Sequence, residues 1–317
     1  MVERKDEESE EAFLLPDIIR EETRFMATLF GYRQAINLRF ITGFREILRN
    51  FDILEIYCDA PTESCQNYDQ CTVDLSIQEA LQYPRRVSGM EARTPMDTTT
   101  NVRQFTMADL KLMWCRLVSH YFEWLAGVPE VKQLNELDKM RLVTKQLCKV
   151  ICWTVAWRTY QLGIREGLTF GCGLLWIPKK CADPTIRNYV SNLASVLQNL
   201  LVSKIRDLRL TRNEYLLVKL ATLFSNTGSI ALSDQGHEAC CSALNKYTTA
   251  LVEEVIETRS DLTTEQIQRR LTTMLSVLPN METVSEVDDR HLMELTMNNN
   301  GNMQGRLTNE IHVHSHI

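Results

Sequence analysis

The most restrictive feature of this sequence is an apolar run near its middle. Residues 147–157, LCKVICWTVAW, form the second half of a predicted helix that opens at Asn135 and Asp138, an N-cap with an acidic residue three positions later. The helix runs to about Tyr160. Because a helix that is apolar almost all round must be covered on both sides, the sequence predicts a three-layer stack of helices with this one in the middle.

Capping signals and apolar stripes place further helices on both sides of this run. The strongest stripe comprises Leu110, Met113, Trp114, Leu117, Tyr121, Trp124 and Leu125, whereas Asp109, Arg116, His120 and Glu123 mark the other face and Pro129 ends the element. Asp183-Pro184, Thr211 with Glu214, Ser233, and Thr263 with Gln266 predict four later helix starts, the last helix ending before Pro279. Residues 168–177, LTFGCGLLWI, predict two short strands about a Gly-Cys-Gly turn. The predicted fold class is all-α, a three-layer antiparallel α-helical sandwich with one short β-hairpin.

Composition shifts suggest how the 317 residues are organised. We predict an acidic tail at 1–11, a helical N-terminal extension of unknown role at 12–71, the helical domain at 72–311 and a polar C-terminal segment at 298–317. The net charge of −6 argues against a chain built mainly to coat nucleic acid. No apolar run approaches the roughly 20 residues of a membrane span, and the start shows no signal peptide. We therefore expect no membrane association, a nuclear or cytoplasmic location, and mostly reduced cysteines.

Signatures of enzymes and of zinc fingers are missing. The sequence has no glycine-rich phosphate loop, no G-x-S-x-G, no H-E-x-x-H and no Cys-x2-Cys pair. We expect no enzyme activity, no cofactor and no metal site. Cys148, Cys152, Cys240 and Cys241 are interpreted as small buried side chains, and the alternating His312, His314 and His316 as an incidental cluster rather than a metal site.

Arg158 stands out because it ends the apolar helix, where its stem lies in an apolar setting. A buried guanidinium needs an anion or several acceptors. Two interpretations stay open: Arg158 caps carbonyls or pairs with a carboxylate such as Glu166, which we favour, or it receives the acidic group of a ligand.

The order of these elements resembles the ligand-binding domain of nuclear hormone receptors. Residues 122–159 resemble, without a gap, the helix 3 to helix 5 signature E-W-A-K-x-x-P-x-F-x-x-L-x-x-x-D-Q, with Glu123, Trp124, Pro129, Leu134, Asp138 and Arg158 in register. LRLTRNEYLLVKLATLF resembles helix 8, and RRLTTMLSVLP the start of helix 10/11. DLSIQEALQYPRRV, followed by RTPM, is similar to the lead-in of the large nematode-expanded branch. The resemblance covers about residues 72 to 311.

This resemblance implies a pocket for a lipophilic ligand with one acidic or polar end. By register, the pocket would be lined by Leu110, Met113, Trp114, Leu117, Cys148, Ile151, Val155, Leu168 and Thr169, with Arg158 as its polar anchor. Trp114, Trp153 and Trp157 are large enough to fill that space themselves, which would leave an interaction module without a ligand.

The resemblance also implies a groove for an L-x-x-L-L coregulator helix and a receptor partner in a dimer. Departures from the family pattern weaken the groove: Ala126 replaces the usual lysine, Val131 a phenylalanine, Lys139 a glutamine and Lys149 a glutamate. Lys132, Leu142 and Lys145 would line it, and either Lys132 or Lys145 would have to replace the missing clamp lysine. The activation helix would be Leu307 to His312 with Glu310 as the clamp acid, a poor copy with threonine and histidine at two apolar positions, or else contain Glu294.

The predicted function is a receptor-like domain that regulates transcription in the nucleus through a lipophilic ligand, coregulators or receptor partners. The family's zinc-finger DNA-binding domain has no counterpart in residues 1 to 57, so we expect no specific DNA binding by this chain. The alternatives are a helical interaction module or adaptor without a ligand, whose cavity is filled by its own side chains, and an unrelated helical protein.

Overall fold

The computed structural model describes residues 39–61, 71–89, 94, 96, 102–177 and 180–314. The chain divides into two compact units, residues 1–45 and residues 46–317. Of the first unit, the described part is the start of helix α1. The predicted tail at 1–11 lies outside the described residues. The second unit holds all the other elements described below.

Helices dominate the described part of the chain. They are α1 (Arg39–Asp59), α2 (Ile77–Gln82), α3 (Arg85–Ser88), α4 (Leu110–Leu125), α5 (Pro129–Gln133), α6 (Glu136–Gln161), α7 (Pro184–Leu197), α8 (Ser203–Leu208), α9 (Arg212–Phe224), α10 (Asp234–Thr258), α11 (Thr264–Leu275), α12 (Val277–Met297) and α13 (Arg306–Thr308). A π-helical stretch, Gln198–Val202, joins α7 to α8, and a second one, Asn309–Val313, continues α13. We call residues Arg306–Val313 the C-terminal segment.

The capping signals predicted these helix starts correctly. Asn135, Asp183, Thr211, Ser233 and Thr263 each accept a hydrogen bond from a backbone N–H in the first turn of the helix that follows. Each cap satisfies a donor that the helix itself cannot satisfy. The end of α11 was predicted just before Pro279, but the helix ends at Leu275 and the chain turns directly into α12, whose first turn contains Pro279.

The small sheet contains one strand more than the sequence predicted. β2 (Leu168–Gly171) and β3 (Leu174–Trp176) form the predicted antiparallel hairpin, and β1 (Arg103–Gln104) pairs with β3 in parallel, giving the order β1-β3-β2. Gly171 and Gly173 flank the turn with φ of 84° and 71°, a conformation that glycine adopts without strain. A strand of two residues carries too little pattern to be read from sequence.

Helix α6 lies in the middle of the helical layers, as its apolar run required. It contacts α4, α9 and α12 as well as β2. Val150, Trp153 and Val155 point in different directions around the helix, and all three are buried. The observed architecture is the all-α sandwich that the sequence predicted.

The outer face of α4 departs from the prediction. Asp109, Arg116, His120 and Glu123 were interpreted as its polar face, but all four are buried. Asp109 pairs with Arg103, and Glu123 with Arg85. Arg116 and His120 instead contact the second half of α1: Arg116 donates to the carbonyl of Cys58, and His120 Nε2 lies 3.0 Å from Asp59 Oδ1 and 4.0 Å from Glu55 Oε2. The sequence placed these acids in an N-terminal extension, which therefore contributes to the body of the second unit.

Candidate functional site: a closed cavity and the segment that covers it

A small cavity lies between α4, α6, α7 and α12 in the described part of the chain. Its lining is apolar apart from a tyrosine, a cysteine and an aspartate: Met113, Trp114, Leu117, Leu147, Ile151, Cys152, Val155, Phe170, Tyr189, Leu193, Leu197, Asp288 and Leu292. The cavity volume is about 20 Å³. This is room for about one water molecule, whereas pockets for drug-sized ligands span about 300–1,000 Å³.

The predicted pocket residues divide into two groups. Met113, Trp114, Leu117, Ile151 and Val155 line the cavity. Leu110, Cys148, Leu168 and Thr169 are buried close by in the same elements but are not part of the lining, and neither is Arg158. Eight lining residues were missed. Tyr189, Leu193 and Leu197 on α7 and Asp288 and Leu292 on α12 lie outside the elements that the register argument used, whereas Leu147, Cys152 and Phe170 lie on α6 and β2, which it did use.

Arg158 makes contacts within the protein instead of facing the cavity. Its guanidinium donates to the backbone carbonyl of Met96 at 3.0 Å and to Asp59 at 2.5 Å. This is the interpretation that we favoured from sequence, with Asp59 rather than Glu166 as the carboxylate. Hydrogen bonding to His120 and the positive charge of Arg158 hold the pKa of Asp59 well below its usual range, although burial acts in the opposite direction.

The three tryptophans considered as fillers have different positions. Trp114 lines the cavity, whereas Trp153 and Trp157 stack on Tyr215 of α9 with ring centroids 6.0 and 4.6 Å apart. Trp114 is therefore the one of these three that occupies the space where the family resemblance predicted a ligand.

The C-terminal segment is packed into the body of the protein. Leu307 and Ile311 are buried, and so are Thr308 and His312, the two polar residues that spoil the activation-helix pattern. The hydroxyl of Thr308 donates to the carbonyl of Met303 at 2.6 Å. Both polar side chains are thus hydrogen-bonded inside the protein, which removes the cost of burying them.

His312 connects three elements. Its Nε2 accepts a hydrogen bond of 2.9 Å from the indole N–H of Trp114 on α4, and its Nδ1 lies 2.5 Å from Asp289 Oδ1 on α12. An indole N–H can only donate, so Nε2 is the unprotonated nitrogen and Nδ1–H donates to the carboxylate. In this neutral form His312 holds the segment beside the cavity.

Asp288, next to Asp289, supplies the one carboxyl group of the cavity lining. It accepts from the hydroxyl of Tyr189 at 2.8 Å, and the thiol of Cys152 lies 3.6 Å from its other oxygen. Burial raises the pKa of Asp288 to about 6. A carboxylate at this position suits a ligand with hydrogen-bond donors. The family resemblance instead implied that Arg158 would bind the acidic end of a ligand.

Glu310, predicted as the clamp acid of a coregulator groove, is engaged by groups of the protein itself. One carboxylate oxygen of Glu310 accepts from the backbone N–H of Ile77 at the start of α2, and the other from Arg306, both at 2.8 Å. Lys132 and Lys145 are exposed on α5 and α6, Leu142 is fully buried, and Glu294 is exposed on α12 with His291 3.8 Å away.

Comparison with known proteins decides the family of this helical domain. The family model described as the ligand-binding domain of nuclear hormone receptor matches residues 96–293. The chain belongs to the nuclear hormone receptor family. The resemblance seen in the sequence is thereby confirmed, and the closed cavity occupies the interior of a receptor ligand-binding domain.

Curated relatives agree with this assignment. The nuclear hormone receptor family member nhr-100 of Caenorhabditis elegans is 23% identical over 232 residues, covering 71% of this chain and 51% of the relative. Estrogen receptor beta of Rattus norvegicus is 25% identical over 206 residues, covering 62% of this chain and 37% of the relative. The chain thus spans about half or less of the length of these relatives. Among the described helices none is long and apolar enough to span a membrane.

Proposed function

We propose that this receptor domain regulates transcription in the nucleus through protein partners and adopts its closed fold without an organic ligand. One observation carries the proposal: the space where the family resemblance predicted a ligand is reduced to about 20 Å³ by the domain's own side chains. Because interiors pack densely, a domain filled in this way needs no ligand to complete its core.

Contacts of the C-terminal segment support the same proposal. Trp114, Asp289 and Ile77 hold it through His312 and Glu310, and these three hydrogen-bond partners all belong to the protein. The position of the segment therefore does not require a ligand beneath it. Coregulators and a second receptor are the proposed partners. They bind to surfaces of the domain whose shape is fixed in this state.

A lipophilic ligand is the second candidate. The lining of the cavity is almost wholly apolar, which suits such a ligand once the pocket has opened. Opening would have to move Trp114 and the C-terminal segment, at the cost of the hydrogen bond between Trp114 and His312.

Native mass spectrometry separates the two candidates. The protein, purified from cells without added lipid, should show the mass of the polypeptide without an organic ligand, and added fatty acid should produce no one-to-one complex. A stoichiometric lipid that survives purification would contradict the proposal and favour a ligand-filled pocket.

A further inference from the structure

Three metal-binding side chains meet where the C-terminal segment packs against the helices. The thiol of Cys148, a carboxylate oxygen of Asp289 and an imidazole nitrogen of His312 all lie within 4.8 Å of one another. They come from α6, α12 and the C-terminal segment, so a common ligand would join three separate parts of the fold. Thiolate, imidazole and carboxylate are the donors that zinc prefers in proteins.

The spacing is close to that of a zinc site. Around a tetrahedral Zn²⁺ with usual bond lengths, a sulfur and an oxygen ligand lie about 3.6 Å apart, and a nitrogen and an oxygen about 3.4 Å apart. In the structure Cys148 Sγ lies 3.9 Å from Asp289 Oδ1, and His312 Nδ1 lies 2.5 Å from the same oxygen. The thiol and the carboxylate are therefore almost in place, and the imidazole has to move back by less than about 1 Å to admit the ion.

The surroundings of the three donors also favour a cation. Asp288 lies beside Asp289 and accepts hydrogen bonds from the neutral donors Tyr189 and Cys152. A divalent ion would bring positive charge next to this buried carboxyl group, which is unfavourable to bury alone. In a second cluster of this kind among the described residues, Glu55, Asp59 and His120, the acids pair with Lys219 and Arg158.

We propose that Cys148, Asp289 and His312 form a Zn²⁺ site that links the C-terminal segment to α6 and α12. With three protein ligands the fourth position is open to water, as in zinc sites that exchange their ligands rather than in closed structural sites. Zinc is then a small ligand that this domain accepts although its cavity is closed. The site differs from the sequence-based expectation of no metal, and it does not depend on the proposed function.

Zinc and the hydrogen bond from Trp114 exclude each other. Metal at Nδ1 of His312 replaces the proton there, so the imidazole carries its proton on Nε2, which then faces the indole N–H as a second donor. Losing one neutral hydrogen bond weakens binding by about tenfold. Zinc sites with thiolate and imidazole ligands have dissociation constants of about 10⁻⁷ M or lower. The binding free energy of zinc therefore exceeds the cost of losing this hydrogen bond. Binding also releases the thiol proton of Cys148 to solvent.

The direct test is a zinc titration of the reduced, chelator-stripped full chain in competition with a chromophoric chelator. We expect one Zn²⁺ per chain with a submicromolar dissociation constant. Co²⁺ in place of zinc should give a thiolate-to-cobalt charge-transfer band and the visible bands of tetrahedral cobalt. Absence of stoichiometric binding at micromolar zinc, or cobalt binding without the thiolate band, would overturn the site.

Variants identify the ligands. C148S, D289N and H312Q should each weaken zinc binding by more than about 100-fold, beyond the loss seen when only outer partners of a zinc site are removed. C241S and H314Q remove an exposed thiol and an exposed imidazole and should leave binding unchanged. If H314Q weakens binding as much as H312Q while C148S has no effect, the ion is held by the histidine-rich tail and the proposal is wrong.

A further variant distinguishes a ligand set from general damage to the fold. W114F removes the competing hydrogen bond and should raise the affinity for zinc by up to about tenfold, whereas a variant that merely loosens the fold would lower it. In the wild type, zinc should also change the tryptophan fluorescence, and W114F should abolish that change. An unchanged or lower affinity of W114F, with its circular dichroism spectrum intact, would contradict the proposed geometry.

Discussion

The indole of Trp114 and the imidazole of His312, 198 positions apart in the sequence, are joined by a hydrogen bond of 2.9 Å, and their ring centroids lie 5.8 Å apart in an edge-on contact. Trp114 lines the cavity where a ligand was expected, and His312 belongs to the segment that packs against Trp114. The same pair thus links the closed cavity to the position of the C-terminal segment. A change that opens the cavity must therefore also disturb the C-terminal segment.

His312→Phe should loosen the C-terminal segment. Phenylalanine preserves the buried ring but removes the hydrogen bonds to Trp114 and Asp289, leaving the indole N–H without its acceptor. We expect a loss of about 1–3 kcal/mol in the free energy of unfolding, measured by urea denaturation. His314→Phe, at an exposed position in the same stretch, should change it by less than about 0.5 kcal/mol. Equal effects of the two variants would show that the hydrogen bonds of His312 do not matter.

Binding of an L-x-x-L-L peptide should be weaker than micromolar. The clamp lysine of the family is replaced by Ala126, and the carboxylate of Glu310 is engaged by Ile77 and Arg306. A peptide helix whose dipole is capped at neither end gains little binding free energy from this surface. Fluorescence anisotropy with a labelled peptide tests this for the wild type, Glu310→Ala and Glu294→Ala. Micromolar or tighter binding by the wild type would contradict the prediction, and the variant that loses it would identify the clamp acid.

Lys219→Met should destabilise the fold strongly. Lys219 is completely buried, where it pairs with Glu55 and lies 4.5 Å from the centre of the Trp124 ring. Removing one partner leaves the other charge buried, at a cost of about 3–5 kcal/mol. Lys246→Met breaks a half-exposed pair with Glu130 and should cost less than about 1 kcal/mol. Similar urea midpoints for the two variants would mean that the buried pair contributes no more than a surface pair.

His120 should reduce the stability of the domain as the pH drops below about 6.5, whereas Asp288, whose pKa is raised to about 6, takes up a proton in the folded state and offsets part of this loss. Burial lowers the pKa of His120 from its usual 6.5 to about 4. Between these two pH values His120 is therefore protonated in the unfolded chain and neutral in the folded protein. The contribution of His120 is present above pH 6.5 and is lost progressively toward pH 4, about 2 kcal/mol of it between pH 7 and pH 5. His120→Gln should show a smaller difference in unfolding free energy between these two pH values. An equal difference would assign the pH dependence to other groups.

Local signals predicted most of the fold. Caps such as Asn135 and Thr211 act within four residues, and the apolar run of α6 dictates burial whatever covers it. The polar face of α4 could not be predicted in this way. Arg116 and His120 are buried because Cys58, Asp59 and Thr94, distant in sequence, supply acceptors for them.

The candidate site was predictable only in part. Register with the family found five lining residues on α4 and α6, but the walls formed by α7 and α12 carry no motif that marks them. His312 and Thr308 were interpreted as defects of an activation helix. Their hydrogen bonds to Trp114, Asp289 and Met303 depend on tertiary contacts that the sequence does not reveal.

The central claim is that the domain closes over its own side chains without an organic ligand. Hydrogen exchange of the ligand-free, metal-free protein tests it most directly, because backbone amides of the C-terminal segment exchange slowly only while the segment stays packed. We predict strong protection for Leu307, whose N–H donates to the carbonyl of Val73 at 2.8 Å, and for the amides that follow it to Val313. Exchange of these amides at the rate of an unstructured chain, with protection gained only when a lipophilic ligand is added, would contradict the claim.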